Sequence, residues 1–214
     1  MINALWALSG LAALVHGLAL AGRPPSAVRT AIKTVPVAAL ALLALLLEAP
    51  WQLTAGLALC ALGDAFLAGD PRRWLPAGLV SFLAGHGLYI FLFAALRDPA
   101  AQPSAAQLAG IAATAAAAVA ILAHLWKALG PLRPAVILYV VAIAVMLGSS
   151  LLLPSGYWPA MAGAAAFMAS DAILAIDLFR GETLFGSPRA TRWAVWFLYY
   201  AAQLGIVWPF MGGF

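Results

Sequence analysis

Charged residues are scarce in this chain: 8% of its 214 residues are Asp, Glu, Lys or Arg, whereas 65% are hydrophobic. The mean hydropathy is +1.01. This composition lies outside the range of soluble globular domains, and the gaps between apolar runs are too short to form a core of their own. We therefore expect residues 1–214 to form a single integral membrane domain with an all-α fold.

Cysteine is almost absent, since Cys60 is the only one. A disulfide framework and a thiolate metal cluster are thereby excluded, and we expect Cys60 to be a small buried hydrophobe. No basic residue precedes the first apolar run, which favours a retained first helix over a cleaved signal peptide. The pI near 9.6 would suggest nucleic acid in a soluble protein. In a membrane protein, basic loops are topology signals, so we expect no nucleic-acid partner.

Proline, glycine and charged residues divide the apolar sequence into eight runs. A transmembrane helix needs about 20 apolar residues, and proline and glycine punctuate helices. The predicted fold is therefore a polytopic bundle of eight transmembrane helices. The predicted spans cover approximately residues 2–21, 31–47, 51–68, 75–96, 105–126, 134–153, 157–179 and 191–210.

The basic residues are concentrated in alternate loops. Ten of the eleven lie in the odd-numbered loops, and Arg97 is the exception. The positive-inside rule then places the odd-numbered loops in the cytoplasm and both termini outside. We expect this orientation in the inner, or plasma, membrane of a bacterium.

Two carboxylates interrupt the apolar spans in matching surroundings. Asp64 and Asp171 both occur in the pattern [Gly/Ser]-Asp-Ala-x-Leu-Ala-x-Asp. An ionisable side chain inside a span costs about 2.5 to 3.5 kcal/mol, which makes each acid a candidate functional residue. Asp64 lies eight residues before Arg72 and Asp171 nine before Arg180, so both should lie at similar depth in the cytoplasmic half. A structural role, bonding to neighbouring helices, is the alternative.

The spacing of polar residues also suggests a parallel internal repeat of four plus four spans. Asp64 and Asp171 are 107 residues apart, and His16 and His124 are 108 apart. Such a duplication pairs spans one and three with spans five and seven. It keeps both halves in the same orientation, as the loop charges require.

Other polar side chains fall near the depth of the two acids. Desolvation favours a neutral carboxyl group, whereas a nearby cation such as Lys33 favours the charged form. Two acids in one pocket can share one proton and so supply an acid and a base together. Alternatively, Lys33 snorkels to the interface and His86 is an interior histidine with satisfied hydrogen bonds. The polar residues in question are Lys33, His86, Tyr89, Tyr139, Tyr199, Tyr200 and Gln203.

Several of these segments together resemble the YhhN-type lysoplasmalogenases, in order and over nearly the whole chain. Lys33-Thr34-Val35-Pro36 is similar to the Lys-Pro element of that family, with two residues intervening. The other segments that carry the resemblance are Gly63–Leu67, Phe82–Tyr89, Gly163–Asp171 ending in Ala169-Ser170-Asp171, and Tyr200–Gln203.

The resemblance implies an eight-helix hydrolase that cleaves the vinyl ether bond of a lysophospholipid substrate, lysoplasmalogen. The products would be a fatty aldehyde and glycerophosphoethanolamine or glycerophosphocholine. Vinyl ether hydrolysis begins with protonation of the alkene carbon and passes through an oxocarbenium ion. Two buried aspartates suit this reaction, as they do in glycosidases. Asp64 and Asp171 are the predicted catalytic pair, with their individual roles left open.

The predicted site needs neither a cofactor nor a metal. Lys33, Tyr139 or Gln203 is expected to bind the phosphate head. The full set of predicted supporting or substrate-binding residues is Lys33, His86, Tyr89, Tyr139, Ser170, Tyr200 and Gln203.

Two other functions fit the same residues. The acids could form the proton relay of a small-molecule or lipid transporter. A metal-dependent lipid amidase could instead use His16, His86 and His124. Membrane lipids are expected partners in every case, and the oligomeric state is left open.

Overall fold

The computed structural model describes residues 1–211, apart from the side chains of residues 71 and 72, and has eight α-helices and no β-strand in that range. Each predicted span corresponds to one helix. A π-helical turn, His16–Leu20, continues α1. The helices are α1 Ile2–Val15, α2 Ala27–Leu46, α3 Trp51–Ala68, α4 Pro71–Leu96, α5 Ala105–Leu125, α6 Arg133–Ser150, α7 Trp158–Arg180 and α8 Pro188–Val207.

Seven helices in the described range are long and apolar enough to cross a membrane. The exception is α8, which has 20 residues but carries Arg189 and Arg192 near its start. It packs lengthwise against α7. The prediction of an all-α integral membrane protein with eight helices is confirmed.

Serine caps account for two of the helices that begin earlier than the hydropathy pattern predicts. The side-chain oxygen of Ser26 accepts a hydrogen bond from the backbone N–H of Arg29, so α2 begins at residue 27 instead of 31. Ser187 caps α8 in the same way through Ala190. Serine caps satisfy backbone donors that a helix start leaves free. The polar first turns are therefore helical although they lie outside the apolar runs.

Six helices form a closed ring, and two pack outside it. Around the ring, α2 packs on α3, α3 on α4, α4 on α6, α6 on α7, α7 on α8, and α8 returns to α2. Outside it, α1 packs on α2, and α5 packs on α6 and α7. The interior of this ring is where side chains from six helices can meet.

Small residues bring the backbones of α7 and α8 into close contact. A Cβ atom added to Gly163 would lie 2.6 Å from the carbonyl oxygen of Ala202, and Gly205 is similarly confined. Between α3 and α4, a Cβ on Gly56 would lie 2.6 Å from the ring of Tyr89. Helices in a membrane associate through such close packing because no hydrophobic force drives them together.

The four-plus-four repeat stays a prediction. The pairs α3–α4 and α7–α8 pack most extensively, and Gly56 and Gly163, also 107 residues apart, lie at these two contacts. The histidines that suggested the repeat lie in unlike surroundings, because His16 is buried and His124 is exposed. The similarity between the halves thus lies in helix packing and not in these histidines.

The basic loops meet at one end of the bundle, which we call the basic end. Consecutive helices run in opposite directions, so the odd-numbered loops share that end, while Arg97 follows α4 at the other. The side chain of Arg72, which contributed to the charge pattern, lies outside the described part. That the basic end faces the cytoplasm, with both termini outside, stays a prediction.

Gly163→Ala should destabilise the protein more than Gly87→Ala does. The new methyl group at Gly163 would collide with backbone atoms of α8, whereas nothing lies within 4 Å of a Cβ at Gly87. Overpacking of this kind costs about 1 to 3 kcal/mol. Thermal unfolding midpoints of the two variants in detergent test this expectation. Equal midpoints would show that α7 and α8 do not depend on this contact.

Candidate active site

A cavity of about 400 Å³ lies inside the ring at the basic end. Asp64 of α3 and Asp171 of α7 both line it, together with Lys33, Tyr139 and Ser170. Apolar side chains of α4, α6 and α7 form much of the remaining wall. Five of the nine predicted site residues thus meet in one space, contributed by four helices.

Asp64 has donors on both of its carboxyl oxygens and is only 1% exposed. The Lys33 ammonium lies 3.4 Å from Oδ1. The hydroxyl of Tyr199 donates a hydrogen bond of 2.6 Å to Oδ2. A cation and a hydroxyl donor at this distance stabilise negative charge on a buried carboxylate. Lys33 therefore turns inward to an acid and is not simply snorkelling.

Asp171 has a different environment. The hydroxyl of Tyr139 donates a 2.6 Å hydrogen bond to its Oδ2. No salt bridge to Asp171, and no hydrogen bond to its Oδ1, occurs within the described residues. The carboxyl is half-buried in the cavity wall. The two acids therefore share a cavity, but only Asp64 has a cation beside it.

Aromatic contacts connect the tyrosines that hold the two acids. The ring of His86 is fully buried and lies 5.1 Å from the ring of Tyr139 and 4.7 Å from that of Phe167. Phe167 in turn lies 5.3 Å from Tyr199. Neither ring nitrogen of His86 has a hydrogen-bond partner among the described residues. His86 therefore supports the site from behind Tyr139 and does not line the cavity.

Four predicted site residues lie outside the cavity lining. Besides His86, Tyr89 donates a 2.7 Å hydrogen bond to Gln203, and this fully buried pair links α4 with α8. Tyr200 instead forms a 2.8 Å hydrogen bond with Ser9 of α1. Their assignment as functional residues stays a prediction, but none of them contacts the cavity as the structure stands.

Tyr199, Arg29 and Arg192 line the cavity and are absent from the predicted site. Helix periodicity is the sequence signal that could have identified these three residues. Tyr199 is seven residues after Arg192 and four before Gln203, a spacing that puts all three on one face of α8 and turns Tyr200 away. Arg29 precedes Lys33 by one turn on α2 by the same rule. Depth alone, which the sequence argument used, does not separate neighbouring residues.

The three histidines lie in three different places. His16 packs against Trp196, with ring centroids 4.3 Å apart, and His86 lies behind Tyr139. His124 is exposed, 3.1 Å from Glu182. Hydrogen bonds from Arg180 and then from His124 hold the pKa of Glu182 below its usual value. Among the described residues no three metal-ligating side chains converge, so the histidine grouping that the amidase alternative requires is not assembled.

Comparisons with known proteins point to the same family as the sequence motifs. The YhhN family matches residues 28–210. Lysoplasmalogenases from Mycobacterium bovis and Mycobacterium tuberculosis are each 32% identical over an alignment of 228 residues that covers 97% of this chain and 84% of theirs. No solved structure matches the chain significantly. These matches confirm the family resemblance drawn from the sequence motifs.

A cysteine placed in the cavity should react with a water-soluble thiol reagent from the basic end. The single native cysteine, Cys60, is fully buried, so the unmodified protein should not react. In sealed vesicles Ala175→Cys, in the cavity wall, should be modified from the same side as Lys127→Cys. Asp98→Cys, at the other end, should react only from the opposite side. Mass spectrometry measures the adducts, and an unreactive Ala175→Cys would contradict an open cavity.

Proposed function

The chain belongs to the YhhN family, and on that premise we propose that it hydrolyses the vinyl ether bond of lysoplasmalogens with Asp64 and Asp171 as its acid–base pair. The products are a fatty aldehyde and glycerophosphoethanolamine or glycerophosphocholine. The observation that carries this proposal is that Asp64 and Asp171, carboxylates from two different spans, line one cavity and have different partners. Asp177, near the end of α7, also lines this cavity. The identity of the curated relatives supports the substrate class.

The shape and chemistry of the cavity suit a single-chain lipid. Its apolar wall, formed by residues such as Leu79, Val140 and Ile143, can accommodate an alkenyl chain. The cationic residues Arg29 and Arg192 lie toward its basic end. A lysophospholipid bound with its chain along the apolar wall and its head at the basic end would thus place its ether bond near the two carboxylates.

Asp171 is the proposed acid. Its Oδ1 has no partner in the described chain, and no cation forms a salt bridge with it, so this oxygen can carry a proton into the cavity. The proton passes from Asp171 to the alkene carbon next to the ether-bearing carbon. The π electrons form the new C–H bond, and the ether oxygen shares the resulting positive charge as an oxocarbenium ion.

Asp64 is the proposed anionic partner. Lys33 and Tyr199 hold it as a carboxylate, which stabilises the neighbouring cation electrostatically. Water then attacks the oxocarbenium carbon and gives one proton to Asp64. The substrate is now a hemiacetal. In the collapse, Asp64 returns that proton to the departing glycerol oxygen while Asp171 takes the hemiacetal hydroxyl proton. Both acids are thereby restored to their initial states.

The site is proposed to open toward the cytoplasm. Its support is the positive-inside rule, because the cavity opens at the end where the basic loops meet. The inner membrane of a bacterium is the corresponding location. The head-group product would then be released on the cytoplasmic side, and the aldehyde would stay in the lipid phase.

Asp64→Asn and Asp171→Asn should each abolish aldehyde release from lysoplasmalogen by purified protein in detergent. Loss of general acid–base catalysis is worth about 10²- to 10⁴-fold, and aldehyde formation measured over time detects it. Asp98→Asn is the matched control, because Asp98 is exposed in the loop after α4, away from the cavity. Full activity in either cavity variant would refute the acid pair.

The substrate provides a second control for this assay. The saturated ether analogue has no alkene carbon to protonate, so it should yield no aldehyde. Aldehyde release in detergent also separates an enzyme from a transporter, since transport requires a sealed vesicle and a gradient. A protein that moves lipid or protons in vesicles but forms no aldehyde would favour the transporter alternative.

Tyr199→Phe should lower activity far more than Tyr200→Phe. The first change removes the hydroxyl that donates to Asp64, and the second removes one that bonds Ser9 outside the cavity. A hydrogen bond to a charged group is worth about 1.5 to 3 kcal/mol, so we expect a loss of about 10- to 100-fold for Tyr199→Phe. Initial rates of aldehyde formation compare the two adjacent substitutions. A larger loss for Tyr200→Phe would contradict the assignment of Tyr199 as the tyrosine that acts in the site.

A further inference from the structure

A second cavity, of about 320 Å³, adjoins the first at the basic end. Residues 17–19, 21–23 and the start of α8 line it, and its charged residues are Arg23, Arg189 and Arg192. No carboxylate belongs to its described lining. Arg192 lines both cavities. We call this second space the arginine pocket.

The three guanidinium groups have no anionic partner within the described side chains. The salt bridges there join Lys33 to Asp64, and Arg180 and His124 to Glu182. Arg189 lies over the ring of Trp193, 4.5 Å from its centroid. Neighbouring like charges repel one another. An anion in the arginine pocket would relieve that repulsion, so the pocket has an electrostatic preference for negative charge.

Local packing fixes the position of Arg192. A Cβ atom on Gly22 would lie 3.2 Å from its Nη2, so the guanidinium lies flat against the turn after the π-helical segment. Arg189 precedes it by three residues, which puts both on adjacent positions of one face of α8. Each guanidinium is a planar fork of N–H donors that matches the paired oxygens of a phosphate or a carboxylate.

The spacing between the arginine pocket and the acids suits one molecule. Arg192 is seven residues before Tyr199, the donor to Asp64, so the two lie about 10 Å apart along α8. In a lysophospholipid one glycerol unit separates the ether bond from the phosphate, so groups two helical turns apart on α8 can contact both ends of that unit. Arg29 also lines the first cavity, and its Nη1 donates a 2.6 Å hydrogen bond to the carbonyl of Ala68.

We propose that Arg192, with Arg23 and Arg189, binds the phosphate of the lysophospholipid head and so selects phosphate-bearing ethers over neutral alkenylglycerols. This inference rests on the proposed function and adds a substrate-binding site to it. Lys33 and Tyr139, two of the residues predicted to bind phosphate, already contact the carboxylates. Because the described lining of the arginine pocket has no carboxylate, it recognises the phosphate and not the amine of the head group.

Binding of uncleavable ligands tests the proposal independently of catalysis. The probes are a saturated 1-O-alkyl lysophosphocholine and the 1-O-alkylglycerol of equal chain length, measured by calorimetry in detergent. The unmodified protein should bind the phospholipid at least about tenfold more tightly, as loss of one charge-assisted hydrogen bond implies. Arg192→Gln should remove that preference and leave alkylglycerol binding unchanged. Arg97→Gln, the same substitution at the opposite end, is the matched control and should keep the preference.

Each result has a defined meaning. Equal binding of both probes by the unmodified protein, or a preference that survives in Arg192→Gln, would overturn the phosphate site. If Arg192→Gln fails to fold, Arg23→Gln takes its place with the same expectation. A protein that prefers the phospholipid probe but releases no aldehyde from lysoplasmalogen would refute the proposed reaction and leave the phosphate site intact.

Discussion

A carboxylate inside the membrane must have a partner, and the structure depends on how this chain supplies one. Asp64 joins three ring helices: its own α3, α2 through Lys33 and α8 through Tyr199. Unpaired, such a charge would cost several kcal/mol. The same contacts that make burial of Asp64 tolerable also connect α2 with α8 through α3, and they favour the charged form of the acid. Stability and the proposed chemistry therefore use one set of side chains.

Asp171 has fewer partners than Asp64, and that difference makes the two acids chemically unlike. Its hydrogen bond from Tyr139 joins neighbouring helices α6 and α7, without a cation. Below both acids, the ring of His86 and the Tyr89–Gln203 pair fill the centre of the bundle. The site thus has a buried polar and aromatic floor, two unlike acids above it, and cationic side chains at its entrance. A substrate with a tail, an ether bond and an anionic head fits that order.

The sequence predicts the helices well because membrane length, proline and loop charge act locally. Even so, it places the start of α2 four residues late, since a serine cap at residue 26 extends the helix through polar residues. It also finds both acids, because a charge in an apolar run is conspicuous wherever it folds. It chooses Tyr200 over Tyr199, because depth along a helix is readable from sequence while the facing direction depends on which neighbours α8 packs against. Lys33, the cation beside Asp64, is among the predicted site residues, but its contact with Asp64 depends on tertiary packing and is not readable from the sequence.

The contact between α7 and α8 has a genetic consequence. What confines Gly163 is backbone, including the carbonyl of Ala202, so no side-chain replacement elsewhere can make room for a larger residue there. What confines Gly56 is the ring of Tyr89, which a smaller residue can vacate. A lesion at Gly56 can therefore be relieved by a smaller residue at position 89, with loss of the hydrogen bond to Gln203, whereas a lesion at Gly163 has no such relief among single side-chain changes on α8.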